Sequence, residues 1–383
     1  MATPQQPVPF NRPLYLPEQL RAIEQALAGG QLAGNGPFTQ RCEAWLRNYS
    51  GSPCALLTPS CTHALEMAAL LIDVGPGDEV IMPSWTFVST ANAFVLRGAT
   101  PVFVDVRAET GNLDERLIEA AITAKTRAIV PVHYGGVACD MDAIMTIAER
   151  HKLWVIEDAA QGLLGTWRGK ALGAIGHLGA YSFHATKNYT SGGEGGALLV
   201  NCPELAARAE IIREKGTNRS AFSRGDVNRY QWLEVGSSYL PGELQAAALS
   251  VQLNVAQQVN QTRRRHWEHY YQSLQASCLA AGVALSVVPE GANHNGHLFF
   301  LLARDRLHRE HLLQVLNADG VMAQSHYEPL HLSPAGMAFG RFAGLDVKTL
   351  AMHDTLLRLP IYYSLGEAEQ DYVIERVRVA LRS

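Results

Sequence analysis

Trp154-Val155-Ile156-Glu157-Asp158-Ala159-Ala160-Gln161 carries the clearest fold signal in the chain. An apolar, β-branched run that stops abruptly at two acids reads as a strand buried on both faces, with a functional group at its carboxyl end. Runs of the same kind occur at Ala55-Leu56-Leu57, Val80-Ile81-Met82, Val102-Phe103-Val104 and Ala128-Ile129-Val130. They alternate with amphipathic helical stretches at 61–74, 87–97, 114–123 and 140–151. This rhythm predicts an α/β fold with a mostly parallel sheet covered by helices on both sides. In such sheets ligands gather at the carboxyl ends of the strands, and Asp158 falls at one of them.

Downstream, Ala180-Tyr181-Ser182-Phe183 reads as a short strand, followed by the turn Gly192-Gly193-Glu194-Gly195-Gly196 and a last strand at Ala197-Leu198-Leu199-Val200. A helix is expected over 203–215. The polar stretch 216–238 is too long for an ordinary connection and reads as a functional loop or a dimer contact. Helical periodicity returns over 242–275. A smaller αβ unit follows, with a strand at Leu298-Phe299-Phe300-Leu301-Leu302 and helices over 307–318 and 367–381. The amino-terminal arm carries Leu20, Ile23 and Leu27 at helical spacing and stops at Gly29-Gly30, predicting a helix over 17–28. These readings place a large domain at 1–250, arm included, and a small carboxyl-terminal domain at 251–383.

Composition narrows the function. With 383 residues and 47% hydrophobic content the chain can bury a sizeable core. Its 32 basic and 36 acidic residues are interspersed, leaving no footprint for nucleic acid or an anionic membrane, so an anionic ligand has to be held locally. The start Met1-Ala2-Thr3-Pro4-Gln5-Gln6-Pro7 lacks a basic and an apolar targeting segment, and no apolar run is long enough to span a bilayer. A cytoplasmic protein is expected. Six dispersed cysteines with no CxxC pair fit reduced thiols, and neither a zinc nor an iron–sulfur site is indicated.

Three local patterns carry chemistry. Lys187, in Ser182-Phe183-His184-Ala185-Thr186-Lys187-Asn188, together with Asp158, looks like the two anchors of pyridoxal 5'-phosphate: an amine for the cofactor aldehyde and a carboxylate for its ring nitrogen. The turn Thr58-Pro59-Ser60-Cys61-Thr62 opens a helix whose free N–H groups suit a phosphate, although Ser60 or Thr62 would also serve as simple caps. Pro83-Ser84-Trp85-Thr86-Phe87-Val88-Ser89 brings aromatics to the next strand-to-helix junction, where one could stack on a planar ring. His133 and the segment His326-Tyr327-Glu328-Pro329-Leu330-His331 set imidazoles at strand ends as pocket or packing residues.

Taken together, these residues resemble the DegT/DnrJ/EryC1/StrS sugar aminotransferases, within the fold-type I pyridoxal phosphate enzymes. The likeness spans nearly the whole chain. Its landmarks are Thr58 through Thr62, Pro76 through Pro83, Glu157 through Gln161, Ser182 through Asn188, Gly193-Glu194-Gly195-Gly196 and Glu243-Leu244-Gln245-Ala246-Ala247, in the family's order. The resemblance implies a seven-stranded, mostly parallel sheet in the large domain. It also implies that Lys187 is the Schiff-base lysine, Asp158 the ring-nitrogen partner, Gln161 a neighbour of the ring oxygen and Phe87 the stacking ring. Ser60, Cys61, Thr62 and Ser182 would hold the phosphate. Where many members carry an asparagine reaching the partner subunit's phosphate, this chain has Gly236-Ser237-Ser238-Tyr239-Leu240, making Ser238 the matching position.

That departure, with Phe87 through Gly98, Arg213 through Ser220 and His326 through His331, is similar to the subgroup that makes dTDP-4-amino-4,6-dideoxygalactose for enterobacterial common antigen and O-antigen. The implied reaction moves the amino group of L-glutamate to C4 of dTDP-4-keto-6-deoxyglucose. It runs by a ping-pong mechanism through pyridoxamine phosphate, in a homodimer or larger assembly with shared sites. Substrate-contact candidates are His184, Arg219, Arg224, Tyr230, His326 and His331. Alternatives are a 3-aminotransferase of dTDP-3-keto-6-deoxy sugars and a non-catalytic, cofactor-binding regulatory protein. A dehydratase of the same fold would lack the lysine.

Overall fold

The computed structural model describes residues 7–382. Seven strands of the large unit form one sheet in the order Cys54–Thr58, Gly196–Val200, Leu178–Ser182, Trp154–Asp158, Thr126–Ile129, Glu79–Pro83, Thr100–Val104. Gly196–Val200 runs antiparallel to both neighbours and the other six strands point the same way. A two-residue strand, Arg341–Phe342, arrives from the far end of the chain and extends the sheet alongside Thr100–Val104. The six co-directional strands therefore deliver Thr58, Pro83, Asp158 and Ser182 to one edge.

The covering helices start and stop for local reasons. Asp140 caps Met141–His151 by accepting the Ala143 N–H at 3.1 Å, and Lys152 ends it in the left-handed region. Ser60 caps Cys61–Leu71 in the same way. The stretch expected as a helix over 114–123 forms only the 3₁₀ turn Glu115–Leu117 and one α turn, Ile118–Ala121. The periodicity over 242–275 divides at Val255 into Glu243–Asn254 and Ala256–Ala280. The helix Pro37–Ser50, which is not among the expected elements, opens with proline at its first turn and ends at the left-handed Gly51. Its amino terminus is clamped by the buried Glu243, whose carboxylate accepts the N–H groups of Gly36, Phe38 and Thr39 at 2.8–3.1 Å.

A second sheet, Ala284–Leu285, Phe299–Leu302 and Leu356–Leu359, is antiparallel and shares its core with the helices Arg306–Ala318 and Glu367–Ala380. Residue 250 lies inside Glu243–Asn254, whose buried side chains pack with the large sheet. The 25-residue helix Ala256–Ala280 runs from that core (Ala256, Val259) into the second one (Trp267, Tyr270, Leu274). Val8 of the arm also packs in the second core and bridges to Val321. No helix among the described residues is long and apolar enough to cross a membrane.

Candidate active site

A cavity of about 900 Å³ opens at the edge where the six strands end, lined on its other side by Arg358 of the second sheet and by His297, Leu298, Gln324, His326, Tyr327 and Ile361 from the segments around it. Strand alternation sorts the two adjacent acids of Trp154–Asp158 to opposite sides. Glu157 is fully buried away from the cavity and accepts from His133 Nε2 (2.8 Å) and the N–H groups of Gly173, Ile175 and Gly176 (2.6–2.7 Å). It is a structural anchor. Asp158 faces the cavity, and no regular helix follows for it to cap. One of its oxygens accepts the Ala160 N–H at 3.1 Å and the other the Thr90 hydroxyl at 2.7 Å. Because the carboxylate accepts only, Thr90 donates to it and takes a hydrogen from Thr86, 2.7 Å away. This chain is not among the sequence expectations; its signal is the i, i+4 spacing of two threonines across the helix start.

Lys187 lies on the cavity wall in the turn after Leu178–Ser182. The turn is tied back by Ala185 N–H to the Gly193 carbonyl (2.8 Å) and Lys187 N–H to the His184 carbonyl (2.9 Å), with Gly193 at φ 155. Asn188 is fixed from the other side, by His297 Nδ1 at 2.8 Å and the Asn295 carbonyl at 3.3 Å. Desolvation pushes the Lys187 amine below the usual lysine range, aided by the charge of Arg358 and opposed by Cys61 and Asp158.

At the other end of the cavity, Thr58 and Ser182 both face Gly196 across the sheet, which brings the Ser60 turn beside the Ser182 hydroxyl. A side chain on Gly196 would strike the backbone of Ser60 and Cys61 at 2.4 Å, so this approach requires glycine. The Ser60 hydroxyl is used as the cap, accepting from the His63 N–H at 3.2 Å. The N–H groups of Cys61 and Thr62 have no partner among the described residues, as the first positions of a helix require. Burial pushes the Cys61 thiol well up, with Asp158 adding to the effect. Thr62 Oγ1 lies 2.7 Å from Ser89 Oγ, joining the two helix starts.

Of the aromatics at the second junction, Trp85 is fully buried against Tyr134, His326 and Tyr327, whereas Phe87 is 58% exposed on the cavity wall. Gln161 is held between the Gly135 N–H (2.7 Å) and the Tyr327 hydroxyl (3.2 Å). His326 stacks on Tyr327 with ring centroids 3.6 Å apart, and its Nδ1 lies 2.8 Å from the Tyr134 hydroxyl. Burial, then the charges of Arg358 and Lys187, push the imidazole down to about 2, so it is neutral at working pH. His184 also lines the cavity, its Nδ1 near Thr186 Oγ1.

The remaining sequence candidates lie elsewhere. His331 is outside the cavity, bound to Ser84 and Asp346 at 2.7 Å each, and pins the segment that carries His326. Arg219, Arg224 and Tyr230 sit on the exposed segment 216–238, where Arg224 pairs with Glu210 and Asp226 and Arg219 with Glu214. Ser238 is exposed and does not reach the cavity of its own chain.

The family model described as the DegT/DnrJ/EryC1/StrS aminotransferase family matches residues 15–378. The chain belongs to this family. Among its relatives, the spore coat polysaccharide biosynthesis protein SpsC of Bacillus subtilis is 34% identical over 382 residues, covering 97% of this chain and 96% of SpsC. DesV of S. venezuelae, solved with a ketimine intermediate, superposes with a TM-score of 0.89 at 32% identity, covering 99% of this chain and all of DesV. Spr1654 of Streptococcus pneumoniae, described as a sugar aminotransferase and solved in a PMP form, gives 0.89 at 27% identity, covering 98% of this chain and 99% of its own. It has also been solved in a PLP form. Like its family, the chain is a pyridoxal phosphate-dependent sugar aminotransferase of fold type I.

Proposed function

We propose that this aminotransferase moves the amino group of L-glutamate to C4 of dTDP-4-keto-6-deoxyglucose, giving dTDP-4-amino-4,6-dideoxygalactose. The observation that carries the amino-transfer chemistry is a buried carboxylate, Asp158, and a desolvated amine, Lys187, facing one cavity from adjacent strand ends. The cofactor fits between them. Unpartnered Cys61 and Thr62 amides at a helix start, beside the Ser182 hydroxyl, suit its phosphate. Phe87 would offer the cofactor a ring face, Gln161 an amide for its ring oxygen, and Asp158 a charge for its ring nitrogen.

When bound, pyridoxal phosphate supplies the carbon that takes up the amino group and a cationic ring that stabilises the electron pair left at the donor α-carbon. The chain supplies the rest. Lys187 removes the proton from the donor α-carbon and, in the second half, delivers a proton to C4 of the sugar. Desolvation favours its neutral form, which is the one able to act as a base. The Thr86–Thr90 chain fixes the Asp158 carboxylate so that its charge is already placed when the ring acquires electrons.

For the acceptor, the support is the likeness of Gly236 through Leu240 and Phe87 through Gly98 to the C4 subgroup, together with the polysaccharide-biosynthesis name of SpsC. We assign Ser238 to the site of a second copy. It sits on a segment exposing Phe222 (45%), Trp232 (78%), Leu233 (53%) and Val235 (63%), an apolar surface that a homodimer would cover. The test is a two-stage spectrum of the cofactor-loaded protein: glutamate, then dTDP-4-keto-6-deoxyglucose, with NMR of the sugar. Loss and recovery of the cofactor band with nitrogen at C4 is expected. Recovery with nitrogen at C3, or none, refutes this acceptor.

A further inference from the structure

One short segment between the helix Ala256–Ala280 and the strand Phe299–Leu302 fastens both reactive turns. Asn295, 1% exposed, donates through Nδ2 to the carbonyls of Gln161 (2.7 Å) and Leu163 (2.9 Å), in the turn that follows Asp158. Its own carbonyl accepts from Asn188 Nδ2 at 3.3 Å, and two residues on, His297 Nδ1 lies 2.8 Å from Asn188 Oδ1, beside Lys187. The backbone is shaped for this approach. A side chain on Gly136 would strike Asn295 Oδ1, and Gly296, at φ 61, has no room for one against the backbone of Arg263 at 2.7 Å. Arg263 in turn donates to the carbonyls of Gly296 (3.2 Å), His297 (2.9 Å) and Ile361 (3.2 Å), which ties the segment to the long helix.

Hydrogen-bond accounting fixes the imidazole. The Asn188 amide gives its N–H to a carbonyl, so its Oδ1 faces His297 and Nδ1 is the donor. Burial, then the charges of Lys187 and Arg263, push this imidazole well down and keep it neutral. His297 lines the cavity, and its Nε2 has no partner among the described residues. The Lys187 amine likewise has no hydrogen bond or ion pair among them, so the backbone that carries it decides where it stands. That backbone is held on one side by the His184 carbonyl and on the other by Asn188.

We propose, on the amino-transfer reading, that Asn295-Gly296-His297 is a positioning clamp in which the His297 Nδ1–H, acting through Asn188, holds Lys187 in line with the donor α-carbon for proton removal. The clamp ties the turn bearing Lys187 to the turn after Asp158, the two whose relative placement the reaction needs. It does so with paired, buried polar groups, which specify one arrangement where apolar contact would only fill space. Proton transfer responds steeply to such placement, since a shift of about 1 Å can cost ~100-fold in rate. The unpartnered Nε2 gives the rival reading, in which the ring meets a ligand directly.

The test uses the cofactor-loaded full chain, with near-UV circular dichroism as the fold check. In wild type, His297→Ala, His297→Asn and His297→Gln, one follows bleaching of the cofactor band by glutamate and by glutamate deuterated at its α-carbon. His297→Ala should lower the limiting rate ~10- to 100-fold and raise the isotope effect, with cofactor affinity and the half-saturating glutamate concentration within about twofold of wild type. His297→Asn keeps an amide N–H near the Nδ1 position and should restore most of the rate. His297→Gln places its amide near the Nε2 position instead and should not. Asn188→Ala should show the same loss, and adding His297→Ala to it should change little further. The clamp's role is overturned by an unchanged rate in folded His297→Ala, by a slower rate with an unchanged isotope effect, or by independent losses in the double variant. A His297→Asn rate no higher than that of His297→Gln overturns it as well, and this comparison carries the test if His297→Ala does not fold. A wild-type protein that glutamate does not bleach overturns the amino-transfer reading itself, and the clamp's role with it.

Discussion

Asp158→Asn changes one atom and one charge where the site is most specifically built. The Thr90–Thr86 chain can reverse, with the asparagine amide donating to Thr90 and Thr90 to Thr86, while the remaining oxygen keeps the Ala160 N–H. The fold then loses only the difference between a charge-assisted and a neutral hydrogen bond, about 1 kcal/mol. In a chain of 383 residues that is a fall of about 1–3 °C in Tm. Catalysis loses more, because the ring nitrogen gives up its charged partner, worth roughly 1.5–3 kcal/mol as electrons move into the ring. That corresponds to a ~10- to 100-fold lower rate of the glutamate half-reaction. Stopped-flow bleaching of the cofactor band gives the rate, and near-UV circular dichroism checks the fold. A variant of native fold that bleaches at the wild-type rate would refute the pairing of Asp158 with the ring.

Other positions give independent checks. Gly196→Ala places a methyl 2.4 Å from the Cys61 nitrogen and the Ser60 carbonyl carbon, both backbone. It should cost ~1–3 kcal/mol in urea unfolding and weaken cofactor binding by more than about tenfold, since the turn has to move. His326 takes a proton near 6.5 when unfolded and is pushed down to about 2 when folded. The unfolded state therefore binds the extra proton between these values, so this contribution is intact above about pH 6.5 and is lost as the pH falls. His326→Gln should reduce the acid slope of stability between pH 6 and 4 by up to ~1.4 kcal/mol per pH unit, read from urea midpoints across pH. An unchanged slope would place the imidazole in contact with solvent.

Much of the large sheet and one side of the site were legible because their signals are local. Val155 through Gln161 and Ser182 through Asn188 each join a strand to the residue proposed to act, and strand direction alone brings both to the same edge. Legibility failed where geometry depends on distant chain. Arg358 reaches the cavity from a strand of the second sheet, Leu356–Leu359, far along the chain from Asp158, whose local pattern says only that it is buried, and Tyr327 reaches it from an irregular connection. The choice among His184, His326 and His331 needed tertiary structure as well: His331 resembles His326 in sequence context but is spent on Ser84 and Asp346. The helix Pro37–Ser50 carried readable start and stop signals. Its mixed composition hid the apolar stripe of Phe38, Cys42 and Leu46.

Borohydride reduction of the cofactor-loaded protein, followed by digestion and mass analysis, reports which lysine holds the cofactor. The chain has six lysines, of which Lys187 lines the cavity. A phosphopyridoxyl group is expected on Lys187 and is expected to be lost in Lys187→Ala. Label on any of the other five, or none on a protein that carries stoichiometric cofactor, would contradict it.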